Sequence, residues 1–270
     1  MMNLNEIRQS YLEEGLDYEN ASARAAQDVV LDMISSSPMV DRVTIKGGVV
    51  MQHLSHDSRR ATQDIDFDFL RYSISDDSIR RFIKTLNTDS DSFFITITRE
   101  IEELKHQDYC GKRVYVSIAD SQRNKINTKL DIGVHKDVDL EQAFLYFDFS
   151  KLDEGVTLLA NSKEQIVAEK LKALLRIGAA STRFKDVFDI YYLAVEEGLD
   201  DKDMRKVLES IVFSDDSIRE NTMRDINLRL ARVLNDKRFT SNLNNAKNNW
   251  LQLPIDRVIK GILSYFSNLE

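Results

Sequence analysis

Cysteine, proline and excess positive charge are all scarce in this chain. A single cysteine, Cys110, stands among 270 residues, so no internal disulfide is expected, and no cluster of Cys and His has the spacing of a structural zinc site. That composition suits a reducing cytosol. Only two prolines and nine glycines interrupt the chain. Nowhere is there an unbroken apolar run long enough for a membrane span. The segment from Met1 to Glu6 lacks the basic start and apolar stretch of an export signal, so a cytoplasmic location and no membrane partner are expected. Lys and Arg number 37 against 45 Asp and Glu, for a formal net charge of −8. This argues against a protein that coats nucleic acid through a general basic surface, because phosphate contacts need basic side chains in number.

What is present is an ordinary globular composition, 42% hydrophobic and 30% charged, enough for a real core and against wholesale disorder. Apolar residues recur at helical spacing over 4–14 and 19–35, and the serine run before Pro38 ends the second helix. A short strand over 42–46 meets Gly47-Gly48, and a helix is expected over 49–56. Period-two alternation marks strands at 64–70, 93–99, 113–118, 128–134 and 144–147, with a helix over 75–86. From Ser162 the pattern is helical throughout, near 162–177, 184–197, 201–213, 218–235 and 255–267. We therefore expect two domains, a mixed α/β half over 1–160 with amino-terminal helices and a helical half over 161–270. Between Lys163 and Lys185 six basic residues face two acidic ones, a local exception to the acidic whole and the expected landing place for a nucleic-acid end.

The chemistry-bearing motif is Lys46-Gly47-Gly48 followed, fifteen residues on, by Asp64-Ile65-Asp66. Asp-x-Asp alone carries little weight, since Asp66-Phe67-Asp68, Asp89-Ser90-Asp91, Asp137-Val138-Asp139 and Asp201-Lys202-Asp203 repeat it. On a strand, however, Asp64 and Asp66 share one face while Ile65 and Phe67 turn to the core. Two carboxylates about 4 Å apart repel by roughly 4 kcal/mol at an effective dielectric near 20, so a cation between them is expected. Mg²⁺ fits, being hard, oxygen-seeking and ready to share its shell with phosphates. A glycine pair at a strand-to-helix turn lets backbone N–H groups approach those phosphates. Asp131, alternating with Leu130 and Ile132 on a later strand, completes a site as ligand or general base if that strand lies beside the first. Asp68 is read as an accessory or surface acid.

Together these residues resemble the DNA polymerase beta type nucleotidyltransferase superfamily. More closely, Lys46-Gly47-Gly48, then Arg60, Thr62, Asp64, Ile65, Asp66 and Phe67, then Glu169-Lys170-Leu171 with Ala173-Leu174, then Arg183, Lys185, Asp186, Asp189, Ile190, Tyr191 and Leu193, resemble the AbiEii/AbiGii toxin family. The resemblance implies an α/β nucleotidyltransferase fold, a mixed sheet with flanking helices followed by a helical carboxyl-terminal domain. It implies transfer of a nucleoside monophosphate from an NTP to an acceptor, in some relatives the 3′ end of tRNA. It also implies the toxin role of an abortive-infection type toxin–antitoxin system, with a cognate antitoxin acting on expression. GTP binding is associated with the family, although no residue here selects guanine. Carried over by position, Asp64, Asp66 and Asp131 hold metal, Lys170 is the family's helical lysine, and Asp186 or Asp189 is the acid after it. Lys46, Gly47, Gly48, Arg60, Thr62 and Arg183 serve the nucleotide. Val49 departs from the pattern, standing where Thr or Ser is common.

Rival readings accompany each assignment. Lys172 and Arg176 fit a wet helix face, and Asp186 and Asp189 could cap or pair locally. His53 and His56, three apart on the helix after the glycines, are read as a helix end rather than a metal pair. Phe144-Leu145-Tyr146-Phe147-Asp148-Phe149 suggests base stacking, but an alternating aromatic strand is read first as core. Two other functions stay open: a small-molecule nucleotidyltransferase, which needs no RNA, and a non-catalytic binding module, which needs no NTP.

Overall fold

Residues 3–88, 90, 92–104, 111–135, 140–149, 152, 155–245 and 249–269 are described by a computed structural model. Cys110, His106 and the acids Asp89, Asp91, Asp137 and Asp139 lie outside the described residues. The chain divides into two units, Met1–Asn161 and Ser162–Glu270.

The first unit opens with α1 (Leu4–Glu13), held by a capping box between Asn3 and Glu6, and α2 (Tyr18–Ser35), capped by Asp17. The chain then runs β1 (Val43–Lys46), α3 (Gly47–Ser55), β2 (Ile65–Phe69), α4 (Asp76–Thr88), β3 (Phe93–Ile97), β4 (Glu102–Leu104), β5 (Gly111–Asp120), β6 (Lys125–Val134), β7 (Ala143–Phe147) and β8 (Val156–Ala160). The helix after the glycine turn begins at Gly47 itself, two residues before the expected start.

These strands form one eight-stranded mixed sheet in the order β3-β5-β6-β2-β1-β8-β7, with β4 on β5. β2 lies parallel to β6 and antiparallel to β1, and β1 lies parallel to β8. Because alternate residues share a face, Ile45, Phe67, Leu145, Phe147, Leu158, Ala160, Val114 and Ile132 all turn one way. Helices cover that face: Phe82 of α4 packs 5.6 Å from Phe67 and 5.2 Å from Phe69 between ring centroids, and His53 of α3 meets Phe147 edge-on at 4.6 Å. The polar residues of the alternation are thereby directed to the opposite face.

The second unit comprises α5 (Lys163–Ile177), α6 (Phe184–Tyr191), α7 (Asp201–Leu208), α8 (Met223–Leu234), α9 (Lys237–Leu243) and α10 (Ile255–Asn268). Ser162 and Gln165 form a capping box on α5. α6 and α7 each continue into a π-helical turn, Tyr192–Glu197 and Glu209–Phe213. Their core includes Leu171, Leu174, Phe188, Leu230 and Phe266, all nearly inaccessible. Among the described residues no helix is long and apolar enough to cross a membrane.

Candidate active site

Across the centre of the sheet, four side chains fall in one line on the polar face. Lys46 stands opposite Asp66 in the β1–β2 pair, Asp66 beside Asp131 in the β2–β6 pair, and Asp131 opposite Arg113 in the β6–β5 pair. The adjacency of the Asp131 strand, which the sequence left open, is thus a property of the fold. One step along the same strands, Thr44 lies opposite Asp68, and Asp64 lies next to Lys129.

Three of these acids have a cation as partner. Lys46 Nζ is 2.6 Å from Asp68 Oδ1, and Lys129 Nζ is 3.0 Å from Asp64 Oδ1. Arg113 grips Asp131 with two bonds, Nε to Oδ1 at 2.8 Å and Nη2 to Oδ2 at 2.7 Å. One expectation is corrected. Asp68 is no surface acid: it is 2% exposed and paired with Lys46. Lys46, Lys129 and Arg113 place positive charge against Asp68, Asp64 and Asp131 within the sheet. Arg113 was missed in the sequence; only the strand register reveals it, since an Arg on an alternating strand is common.

Among the described residues no group of three His, Cys, Asp or Glu is gathered for a metal. Asp66 and Asp131 nevertheless fit one as a donor pair: hard oxygen ligands on one face, at neighbouring positions of adjacent strands about 4.8 Å apart. Asp64, expected as the third, lies farther along, with its side chain 37% exposed beside Lys129.

The glycine turn is built against this line. Gly47 has φ +67°, which favours glycine, and a β-carbon on it would overlap Oδ2 of Asp66 and stand 3.0 Å from Cγ. A β-carbon on Gly48 would overlap the Thr62 side chain. Both glycines are therefore fixed by later motif residues. α3 has no side-chain cap hydrogen bond and no acid in its first turn, unlike α1, α2, α5, α7 and α8, which have both. Its leading N–H groups are suited to an anion. Gln27 of α2, missed in the sequence, donates from Nε2 to the Thr62 carbonyl at 2.8 Å and so tethers the segment behind the turn. Arg60 closes the 3-10 turn Ser58–Arg60 and is only 4% exposed. Val49, the departure from the family pattern, is fully buried in the core.

A second charged group lies in the helical unit. Lys170 of α5 reaches Asp186 Oδ1 at 2.5 Å and Asp189 Oδ2 at 2.9 Å on α6. Asp189 is fully buried and accepts from Trp250 Nε1 at 3.0 Å. Arg183 Nε stands 3.0 Å from the other Asp186 oxygen, with its side chain 60% exposed. The structure brings together all four residues expected from this stretch and adds Trp250, which no spacing rule flagged.

The basic stretch 163–185 differs from its sequence reading because acids elsewhere neutralise much of it. Lys163 pairs with Glu197, and Lys172 and Arg176 both pair with Asp215, whose carboxyl is held well below the usual range despite its burial. The aromatic strand also differs. Phe147 is buried, but Phe144 is 77% and Tyr146 59% exposed, and their parity sets them on the face that carries Asp66 and Asp131. His53 is buried, and that burial lowers its imidazole to about 3, with Arg24 and His56 adding to the effect.

In comparison with known proteins, the model of the family described as nucleotidyl transferase AbiEii toxin, type IV toxin–antitoxin system, matches residues 29–253. No curated protein matches the sequence.

Proposed function

The chain belongs to the AbiEii family of nucleotidyl transferase toxins of type IV toxin–antitoxin systems, and on that premise we propose that it moves a nucleoside monophosphate from an NTP to RNA, at the 3′ end of a tRNA. The observation that carries this reading is the Gly47–Asp66 packing, which fixes an uncapped helix N-terminus beside an acid pair. Phosphates held by the α3 N–H groups stand next to carboxylates that serve the transfer. Asp66 and Asp131 would hold Mg²⁺, which supplies Lewis-acid polarisation and neutralises phosphate charge.

In the proposed reaction the acceptor hydroxyl oxygen bonds to the α-phosphorus and the bond from that phosphorus to the bridging oxygen breaks. Pyrophosphate leaves, and the hydroxyl proton passes to Asp131, oriented by the Arg113 fork. Lys46, Arg60 and Thr62 support the triphosphate side, with Asp64 at the edge of the acid line. In the helical unit, Lys170 and Asp189 orient Asp186, and Arg183 offers an exposed guanidinium to phosphate. Phe144 and Tyr146 favour RNA over a small acceptor, since exposed rings on the reacting face give bases a surface to stack on. The antitoxin of the system, on this reading, acts on expression.

The test is incubation with Mg²⁺, total bacterial tRNA and each α-labelled NTP in turn, beside Asp66→Ala. Label entering RNA with the wild type alone supports the reading and identifies the base, GTP included. No label in any lane with folded protein overturns RNA transfer in favour of a small-molecule acceptor or a non-catalytic module.

A further inference from the structure

A cavity of about 640 Å³ opens within the helical unit, between the end of α5, the segment 217–220 and one face of α8. Its charge is unusual for so acidic a chain. Arg176, Arg219, Arg229 and Arg232 line it against two acids, Glu220 and Asp225. On α8 the lining residues Asp225, Leu228, Arg229 and Arg232 recur at helical spacing and make one face, opposite the buried Ile226, Leu230 and Val233.

Much of this charge is unanswered. Among the described residues, the Arg219 and Arg232 side chains have no hydrogen bond or ion pair, and both residues are exposed. Arg229 Nε is buried without a hydrogen-bond partner, and the nearest Glu220 oxygen is 3.9 Å away. Asp225 is engaged elsewhere, accepting from the Thr222 hydroxyl at 2.7 Å while its N–H is capped by the same residue. The position of Arg229 is also built into the backbone: a β-carbon at Gly178, which has φ +66°, would stand 2.6 Å from Arg229 Nη2. Gly178 thus makes room for a guanidinium at the cavity wall.

We propose that this cavity binds the phosphate of a nucleotide, either free or at one position of a single RNA strand, with Arg219 and Arg232 as the contacting cations. With Arg176 answered by Asp215, Arg219 and Arg232 remain as the cations free to meet a phosphate, which carries one negative charge within a strand and nearly two as a monoester at neutral pH. Guanidinium forks match phosphate oxygens in pairs. Leu175 and Ile218 beside the half-exposed Leu228 give the sugar and base an apolar wall, and the volume suits a ligand of that size. The site adds a second anchor in the helical unit and requires no catalytic role of it.

The test measures two probes on the full chain: AMP by calorimetry, and a short fluorescein-labelled single-stranded RNA by anisotropy. Proteins compared are wild type, Arg219→Ala/Arg232→Ala, the corresponding double Lys variant and Asp66→Ala. The double Ala variant should weaken binding by at least roughly tenfold, with partial recovery in the Lys variant, a wild-type melting profile, and a shallower salt dependence. Asp66→Ala should keep the component that the double Ala variant loses. Loss confined to the RNA probe identifies a strand phosphate, and loss with both probes a free nucleotide; either supports the proposal. Wild-type affinity for both probes in the double Ala variant, or no binding of either probe to wild type, overturns it.

Discussion

Gly47 and Asp66 leave no space between them: a β-carbon on Gly47 would overlap the Asp66 carboxylate. Gly47→Ala should therefore lose nucleotidyl transfer as well as the roughly 1 kcal/mol or more that positive φ costs a non-glycine residue. Gly15 supplies the control, with φ +94° and nothing within 4 Å of its added β-carbon. Gly15→Ala should show the strain in urea unfolding and retain full transfer. Equal activity in the two variants would contradict the assignment of the turn.

Lys46 was read as a phosphate ligand, and its buried pairing with Asp68 gives it a structural duty too. Lys46→Met leaves a carboxylate in the sheet without this cation and should lower unfolding free energy by about 3 kcal/mol. Adding Asp68→Asn should recover most of that stability. Activity should stay low in the double variant if Lys46 also serves the triphosphate.

Lys170 separates two carboxylates, one of them fully buried. Lys170→Met should destabilise the helical unit by about 3 kcal/mol. The chain's one tryptophan, Trp250, donates to Asp189 and reports the change directly through its fluorescence. Asp189→Asn added to Lys170→Met should restore the unfolding midpoint without restoring transfer; restored transfer would leave Lys170 a purely structural role.

Asp28 of α2 gives the pH prediction. Burial pushes its carboxyl up to about 6, against the lowering influence of Arg24 and of the Tyr11 hydrogen bond. A folded value above the unfolded one means that the native state holds the proton more tightly. That contribution is fully present below about 3.8 and is lost as the pH rises through about 6. Relative to Asp28→Asn, wild-type stability should fall by on the order of 2–3 kcal/mol between about pH 4 and pH 7. A constant difference across that window would contradict it.

The sequence made the centre of the site legible because glycine conformation and strand alternation are local rules. Gly47, Asp66 and Asp131 are the candidates those rules pick out, and the line of Lys46, Asp66 and Asp131 across three strands is what the register adds. β8 was missed because its five residues form a short, mainly apolar run running into α5 without a turn signal of the usual kind. β4 and α9 are short, and α9 lacks a long amphipathic repeat. Partners brought together by tertiary packing were invisible: Arg113 on Asp131, Gln27 behind Thr62, Trp250 on Asp189 and Asp215 on the basic stretch. The exposed Phe144 and Tyr146 were read as core because strand periodicity identifies a shared face without saying whether anything covers it.

The central claim is that the Asp66–Asp131 pair performs the transfer, and the most direct measurement is the Mg²⁺-dependent rate of label transfer to RNA by wild type, Asp66→Asn and Asp131→Asn, each checked for native melting. The account predicts that both variants stay folded and lose at least about a hundredfold in rate. Wild-type rates in either folded variant would contradict it.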